Sequence, residues 1–143
     1  MGQCYNSVVV NADADRVWQL LREFHDLSWA PSVVTHVEQK GNIVGANKGA
    51  KRILNDAFHE TLLTLDDEER SLSYSIDDGP GPVAADRVHS YIGGLRVYAV
   101  TATGQAFVEW YSRYETSDDS AVAEFCNPIY QALLSDLNRH FDG

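Results

Sequence analysis

The sequence predicts an α+β fold: a curved antiparallel sheet of about seven strands wrapped around one long C-terminal helix, with two short helices after the first strand. Three observations lead there. From residue 33 to residue 115 strand signals follow one another with only short turns between them, which implies antiparallel pairing. At the end of the chain Val122, Phe125, Ile129, Leu133, Leu137 and Phe141 recur at helical spacing. One amphipathic helix cannot cover both faces of such a sheet, so the sheet must curve around it.

The elements follow in order. "CYNSVVV" is short and β-rich, a first strand. In "NADADRVWQLLREFHDL" the period changes: Val17, Leu20, Leu21 and Phe24 share a helical face, with Asp13 as N-cap and Asp15 in the positive first turn. "LSWAPSVV" is a joint carrying Trp29 beside Ala30-Pro31, read as a short helical or turn plug. "VVTHVEQ" is a strand, and "AKRILN" and "FHETLLTLD" flank a tight turn at Asn55-Asp56. "SLSYSID" alternates as a half-buried strand does. "DGPGPVAAD" is a loop, since its prolines and glycines do not suit a sheet interior. "RVHSYIGGLRVYAV" is a long strand with a bulge or sharp coil expected at Gly93-Gly94, and "AFVEWYSRYE" is the last strand. The apolar phase of the C-terminal run continues across Pro128, which predicts one long kinked helix. Residues 1–143 are expected to form a single domain.

Net charge is −10 and the pI about 4.7, which argues against nucleic acid and anionic membrane surfaces. No apolar run reaches the roughly 18 residues of a membrane span. The two cysteines, Cys4 and Cys126, lack metal-type spacing, and no secretory leader is recognisable, so reduced thiols and a cytoplasmic location are expected. The five histidines show no i, i+2 or i, i+4 pairing, and no zinc, phosphate-loop or nucleophile-elbow motif occurs. No metal and no cofactor are expected.

In this order and spacing, "ADADRVWQLLREFHDLSWAPSV", "GAKRIL", "ETLLTLDDEERSLSYSI", "GPGPV", "FVEWYSRYE" and the C-terminal helix resemble the START/Bet v 1-like superfamily. This is the helix-grip or SRPBCC fold, and the nearest likeness is to its bacterial polyketide cyclase/dehydrase-like branch. The resemblance spans the whole chain and implies an internal pocket for hydrophobic or amphipathic small molecules, between sheet and long helix. Plant abscisic acid receptors of this superfamily allow a residue comparison. Their pocket glutamate falls on Glu60, a pocket aromatic and aliphatic pair on Tyr74 and Ile76, and a helix phenylalanine on Phe125, with Ile129 and Leu133 one and two turns on. The lysine that meets their ligand's carboxylate falls on Val33. Their gate is replaced by the Asn55-Asp56 turn, their latch position carries "GPGPV", and a pocket tyrosine falls on Asp86. A hormone-receptor role and an acidic ligand are therefore disfavoured.

Glu60 is the leading polar candidate. Alternation puts Phe58, Glu60, Leu62 and Thr64 on one face, inward by the resemblance. A carboxylate there must be paired or have a raised pKa, and a raised glutamate can act as acid or base. The alternative is a structural pair with Arg52. Arg52 and Arg113 are either cavity anion contacts or exposed strand cations. Trp29 and Pro31 are expected to plug one cavity mouth, with Val33 as its wall. Val83, Asp86 and Val88 are expected near the "GPGPV" rim. On the last strand Glu109 and Tyr111 are read as inward and Trp110 as outward, a partner surface for a homodimer.

The leading function is binding or carriage of a small hydrophobic or amphipathic molecule of lipid, polyketide or aromatic type. The second is a polyketide cyclase or dehydratase in which Glu60 shuttles a proton while Tyr74 or Arg52 holds a carbonyl or enolate. A third is an interaction module using Trp110. The expected partners are the small ligand, no nucleic acid and no membrane insertion, with a monomer or homodimer.

Overall fold

The computed structural model describes residues 2–142. Strand β1 (Gly2–Val10) buries Cys4 and Val10 and leaves Tyr5 and Val9 outside. Helix α1 (Ala14–Leu21) starts where Asp13 Oδ1 accepts the Arg16 N–H at 2.8 Å, as its N-cap position predicts. It buries Ala14, Val17, Trp18 and Leu21. The Trp18 indole N–H and the Arg22 guanidinium both donate to Asp67, which pins this helix to the turn after β4 (Phe58–Asp66).

A second short helix does not form. Residues 22–36 run as successive turns, with one isolated helical bond from Val34 N–H to Ala30 O. Pro31 has no N–H to give, and the Ser32 N–H is taken by Asp136 of the C-terminal helix. The strand expected from Val33 likewise shortens to β2 (Val37–Lys40). The Thr35 and His36 N–H groups bond to the Asn55 side chain instead of a ladder.

Strand β3 (Lys51–Leu54) turns into β4 at Asn55 and Asp56, whose φ values of 55° and 56° make the mirror-image turn that suits a twisted hairpin. Strand β4 pairs with β5 (Ser71–Asp78) through a register shift between Leu62 and Thr64. That bulge returns Thr64 to solvent and explains why it leaves the face shared by Phe58, Glu60 and Leu62. The "GPGPV" loop holds a single 3-10 turn, Gly81–Val83. Strands β6 (Val88–Ala99) and β7 (Ala106–Thr116) follow, then α2 (Asp119–Asp142), which runs unbroken through Pro128. The sheet order is β1-β7-β6-β5-β4-β3-β2, antiparallel throughout. This is the predicted helix-grip architecture, with the core between the concave face and the two helices.

Two expectations about the long strands are corrected. Register is continuous at Gly93 and Gly94; the irregularity lies between Val88 and Ser90. The glycines instead make room for rings. A Cβ on Gly93 would sit 2.3 Å from the Tyr74 ring, and one on Gly94 would sit 2.9 Å from Tyr111. The faces of β7 are also reversed. Val108, Trp110, Ser112 and Tyr114 are buried, whereas Glu109 and Tyr111 lie on the convex side, where Glu109 accepts from the Tyr5 and Tyr98 hydroxyls. The charged set Glu109 and Arg113 marks the outer face, a signal that outweighs the inward reading of Tyr111.

Gly93→Ala should force the Tyr74 ring off its seat, with an expected loss of about 1–3 kcal/mol. A thermal melt of the variant checks it, and an unchanged midpoint would show that the ring has room to give.

Candidate functional site

The concave face meets α2 around a cavity of about 50 Å³. Its apolar wall comes from three places. Strands β3 to β5 give Leu54, Phe58 and Ile76, helix α2 gives Ile129 and Leu133, and the turn segment gives Leu27, Val33 and Val34. The segment is tied down at two points. Asp136 Oδ2 accepts the Ser32 N–H at 2.9 Å and the Ser32 hydroxyl at 2.6 Å. Asn55 Nδ2 donates to Val33 O at 2.8 Å, while its oxygen accepts from Thr35.

At one side of the cavity lies an ion pair. Arg52 Nε and Nη2 both donate to Glu60 Oε1, at 2.8 and 2.7 Å, and Nη1 donates to Phe24 O at 2.7 Å. The guanidinium lies 3.8 Å from the Phe24 ring centre, a cation–π seat. Both charged residues are almost fully buried, 6% exposed each. Burial pushes the Glu60 carboxyl up, against the pull of Arg52. Cross-strand register explains the pair, since Arg52 faces Glu60 directly. Glu60 Oε2 makes no hydrogen bond among the described residues.

The remaining polar groups form a chain of hydroxyls. The Trp110 indole N–H donates to the Tyr74 hydroxyl at 2.9 Å, Tyr74 meets Tyr130 at 3.3 Å, and Tyr130 meets Tyr91 in a short contact. These four rings occupy much of the space under α2, which is why the cavity falls far below the roughly 300–1,000 Å³ usual for ligand pockets. Burial raises all three tyrosines above their ordinary range. It also pushes the Cys126 thiol up to about 11, so this wall cysteine stays protonated at neutral pH.

Of the residues singled out from sequence, Val33, Arg52, Phe58, Glu60, Tyr74, Ile76, Ile129 and Leu133 lie at the cavity. The others do not. Trp29 is buried behind it, tilted against Trp110 at 6.3 Å with its N–H on Asp26 O, and Pro31 is exposed. Leu62 and Val83 are core, Val88 is buried below the rim, and Asp86 is exposed. The "GPGPV" loop therefore supplies no wall, because Val83 tucks beneath Gly79. Phe125 stacks on Phe58 at 6.2 Å instead of facing the cavity. Glu109 and Tyr111 belong to the convex face, where a shallow hollow of about 460 Å³ lies over Gly93 and Gly94. The outward reading of Trp110 as a partner surface is overturned by its burial.

Sequence reasoning missed Tyr91, Trp110, Cys126 and Tyr130. The shift at Val88/Ser90 hides the parity of Tyr91. Cys126 and Tyr130 lie one residue beyond the Phe125–Ile129 line, and i, i+4 spacing with Val122 would have found them. His36, Glu38 and Asp56 bring their ligand atoms within 4.8 Å of one another outside the cavity, and all three are exposed. Among the described residues no helix is long and apolar enough to cross a membrane.

A sheet gripping one long helix over an interior cavity defines a helix-grip protein of the START/Bet v 1-like class. Residues 1–142 match the family described as polyketide cyclase/dehydrase and lipid transport, and the chain belongs to it. A solved protein from Nitrosospira multiformis is 40% identical, with 97% of this chain and 95% of that one aligned at a TM-score of 0.94. The XoxI protein of Bacillus cereus is 24% identical over 99% and 96%, at 0.78. Major latex-like protein 151 of Panax ginseng is 16% identical over 98% and 97%, at 0.77, and shares the fold. No match is found among curated protein sequences.

Two outcomes test the polar anchors. Arg52→Met should cost about 3–5 kcal/mol by stranding Glu60, and adding Glu60→Leu should restore most of it, as read by urea titration. The Asp136 carboxyl is pushed up by burial, but the bonds from Ser32 and Arg139 outweigh this and hold it below the ordinary range. A lowered carboxylate stabilises above its unfolded value near 3.8 and loses that contribution as pH falls through the folded value. Asp136→Asn should therefore lower stability by about 2 kcal/mol at pH 7. The gap to the parent should close only as the pH drops below about 4.

Proposed function

We propose that the domain, residues 1–143, binds and carries a small uncharged hydrophobic or amphipathic molecule, of polyketide or aromatic type, in the cytoplasm. The observation that carries this reading is the cavity itself: an apolar wall around a few polar groups, with its one wall cation already neutralised. Arg52 spends its charge on Glu60, Val33 stands where related receptors place a lysine, and the chain is strongly acidic. A carboxylate ligand would have no unpaired cation there. A lipid, polyketide or aromatic molecule alike exceeds about 50 Å³, so entry requires the 27–34 segment to open. Family membership supports small-ligand binding, and the two buried free thiols suit a reducing compartment.

The cyclase or dehydratase reading rests on Glu60 Oε2, the one oxygen of the pair without a hydrogen bond. It is the weaker reading, because an acid/base residue clamped by a buried arginine is poorly placed to exchange protons.

Native mass spectrometry of protein purified from its own host should show a retained neutral small molecule. Ile129→Trp, which fills the cavity, should remove it with the melting midpoint changed by only a few degrees. Retention of the same molecule by that variant would place binding elsewhere and overturn the reading.

A further inference from the structure

We propose that the Tyr74–Tyr130–Tyr91 chain is the specificity element of this cavity, selecting neutral ligands that present a hydrogen-bond-accepting oxygen of the ketone type. This rests on the proposed cavity binding and names the ligand chemistry within it.

The argument is a proton count. Three hydroxyls carry three protons, and two contacts link them, Tyr74 with Tyr130 and Tyr130 with Tyr91. One proton is therefore always left to donate outside the chain. All three tyrosines line the cavity, so whichever hydroxyl holds the spare proton offers it at the wall. Trp110 biases the arrangement. Its indole N–H can only donate, and it occupies an acceptor site on Tyr74, leaving the Tyr74 proton to point elsewhere.

The far end of the chain has a second hydroxyl, Ser112, which influences the acidity of Tyr91 from the neighbouring strand. Ser112 Oγ is buried without a hydrogen bond of its own. With no hydrogen bond from Tyr91 to Ser112, the chain is not satisfied internally at that end. When Tyr91 donates to Tyr130 and Tyr130 to Tyr74, the spare proton emerges at Tyr74. A ligand oxygen needs only that direction of donation, with no movement of rings, to gain a donor.

Burial keeps all three hydroxyls protonated, so they act as donors across the physiological range. Asn55 uses its oxygen and one of its two side-chain N–H groups on the turn segment. The tyrosine hydroxyls are thus donors at the cavity wall beyond Arg52, three of whose five N–H groups are taken by Glu60 and Phe24. The chemistry recognised is a neutral carbonyl, with aromatic rings of Tyr74, Trp110 and Phe58 around it.

Cyclopentanone and methylenecyclopentane have the same shape and differ in C=O against C=CH₂. Binding is followed through the methyl resonances of Ile129 and Leu133, and the bound ketone through its carbonyl stretching band. The ketone should bind about tenfold more tightly than the alkene, as one buried hydrogen bond supplies. Its band should shift to lower frequency relative to the ketone in hydrocarbon solvent. In Tyr74→Phe/Tyr130→Phe, which leaves Tyr91 and the freed Trp110 N–H, the ratio should fall several-fold, with the alkene unaffected. Equal binding of the two probes with an unshifted band would overturn this inference and leave the cavity reading standing. Binding of cyclopentanecarboxylate as tight as that of the ketone would also overturn it. Failure of every probe to bind would overturn both. Should the double variant not fold, the band of the ketone bound to the parent protein decides alone.

Discussion

The buried pair of Arg52 and Glu60 is the constraint on which the rest of the interior depends. Two charges removed from water need close geometry and further partners, or they destabilise the fold by several kcal/mol. Register supplies the first requirement by setting Arg52 opposite Glu60. The chain after α1 supplies the second, through the Phe24 carbonyl and the Phe24 ring. Satisfying the arginine therefore fixes where residues 22–27 cross the concave face. Once Phe24 is placed, Leu27 falls at the cavity wall, and the segment must continue past α2 to reach β2. The ion pair is in this sense the reason the cavity has a roof.

The roof is then held by side chains that replace ladder hydrogen bonds. Asp136 takes the backbone and hydroxyl of Ser32, and Asn55 takes Thr35, His36 and the Val33 carbonyl. A segment with Pro31 and few internal bonds would otherwise carry unsatisfied backbone groups over an apolar cavity. Both anchors are single polar residues on rigid elements, one on α2 and one in the β3–β4 turn. Segments held this way open at lower free energy than strands do. An interior of about 50 Å³ can thus admit something larger when the segment lifts.

Much of this was legible in the sequence, and what was not has physical causes. Asp13 as a cap, the Asn55-Asp56 turn and the unbroken run through Pro128 follow from local chemistry, and they stand as read. Glu60 and Tyr74 were found because β4 and β5 stay in register between the shifts at His59/Glu60 and Leu62/Thr64. Tyr91 and Trp110 were not. One lies past a register shift, and the other alternates with Glu109 and Tyr111, which face the convex side and not the cavity. Gly93 and Gly94 looked like a break in the strand, yet they are seats for rings whose positions only the tertiary structure shows. "LSWAPSVV" divides in the same way. Trp29 packs into the core while Val33 and Val34 line the cavity, a split that no local period encodes.

The two polar systems of the cavity differ in what they can offer a ligand. The ion pair is matched in charge: each guanidinium nitrogen has a partner, and its role is to fix the frame. The tyrosine chain is open by one proton, and it can reverse direction without moving a heavy atom. A rigid charged frame beside a reversible neutral donor penalises anions through desolvation and rewards acceptors through hydrogen bonding. Size adds a third filter, because Tyr74, Tyr91, Trp110 and Tyr130 leave little room between them. Substitutions that enlarge the cavity, such as those removing a ring, would thus also remove a donor. Removing one of these tyrosine rings changes volume and polarity together, whereas Tyr→Phe changes polarity alone.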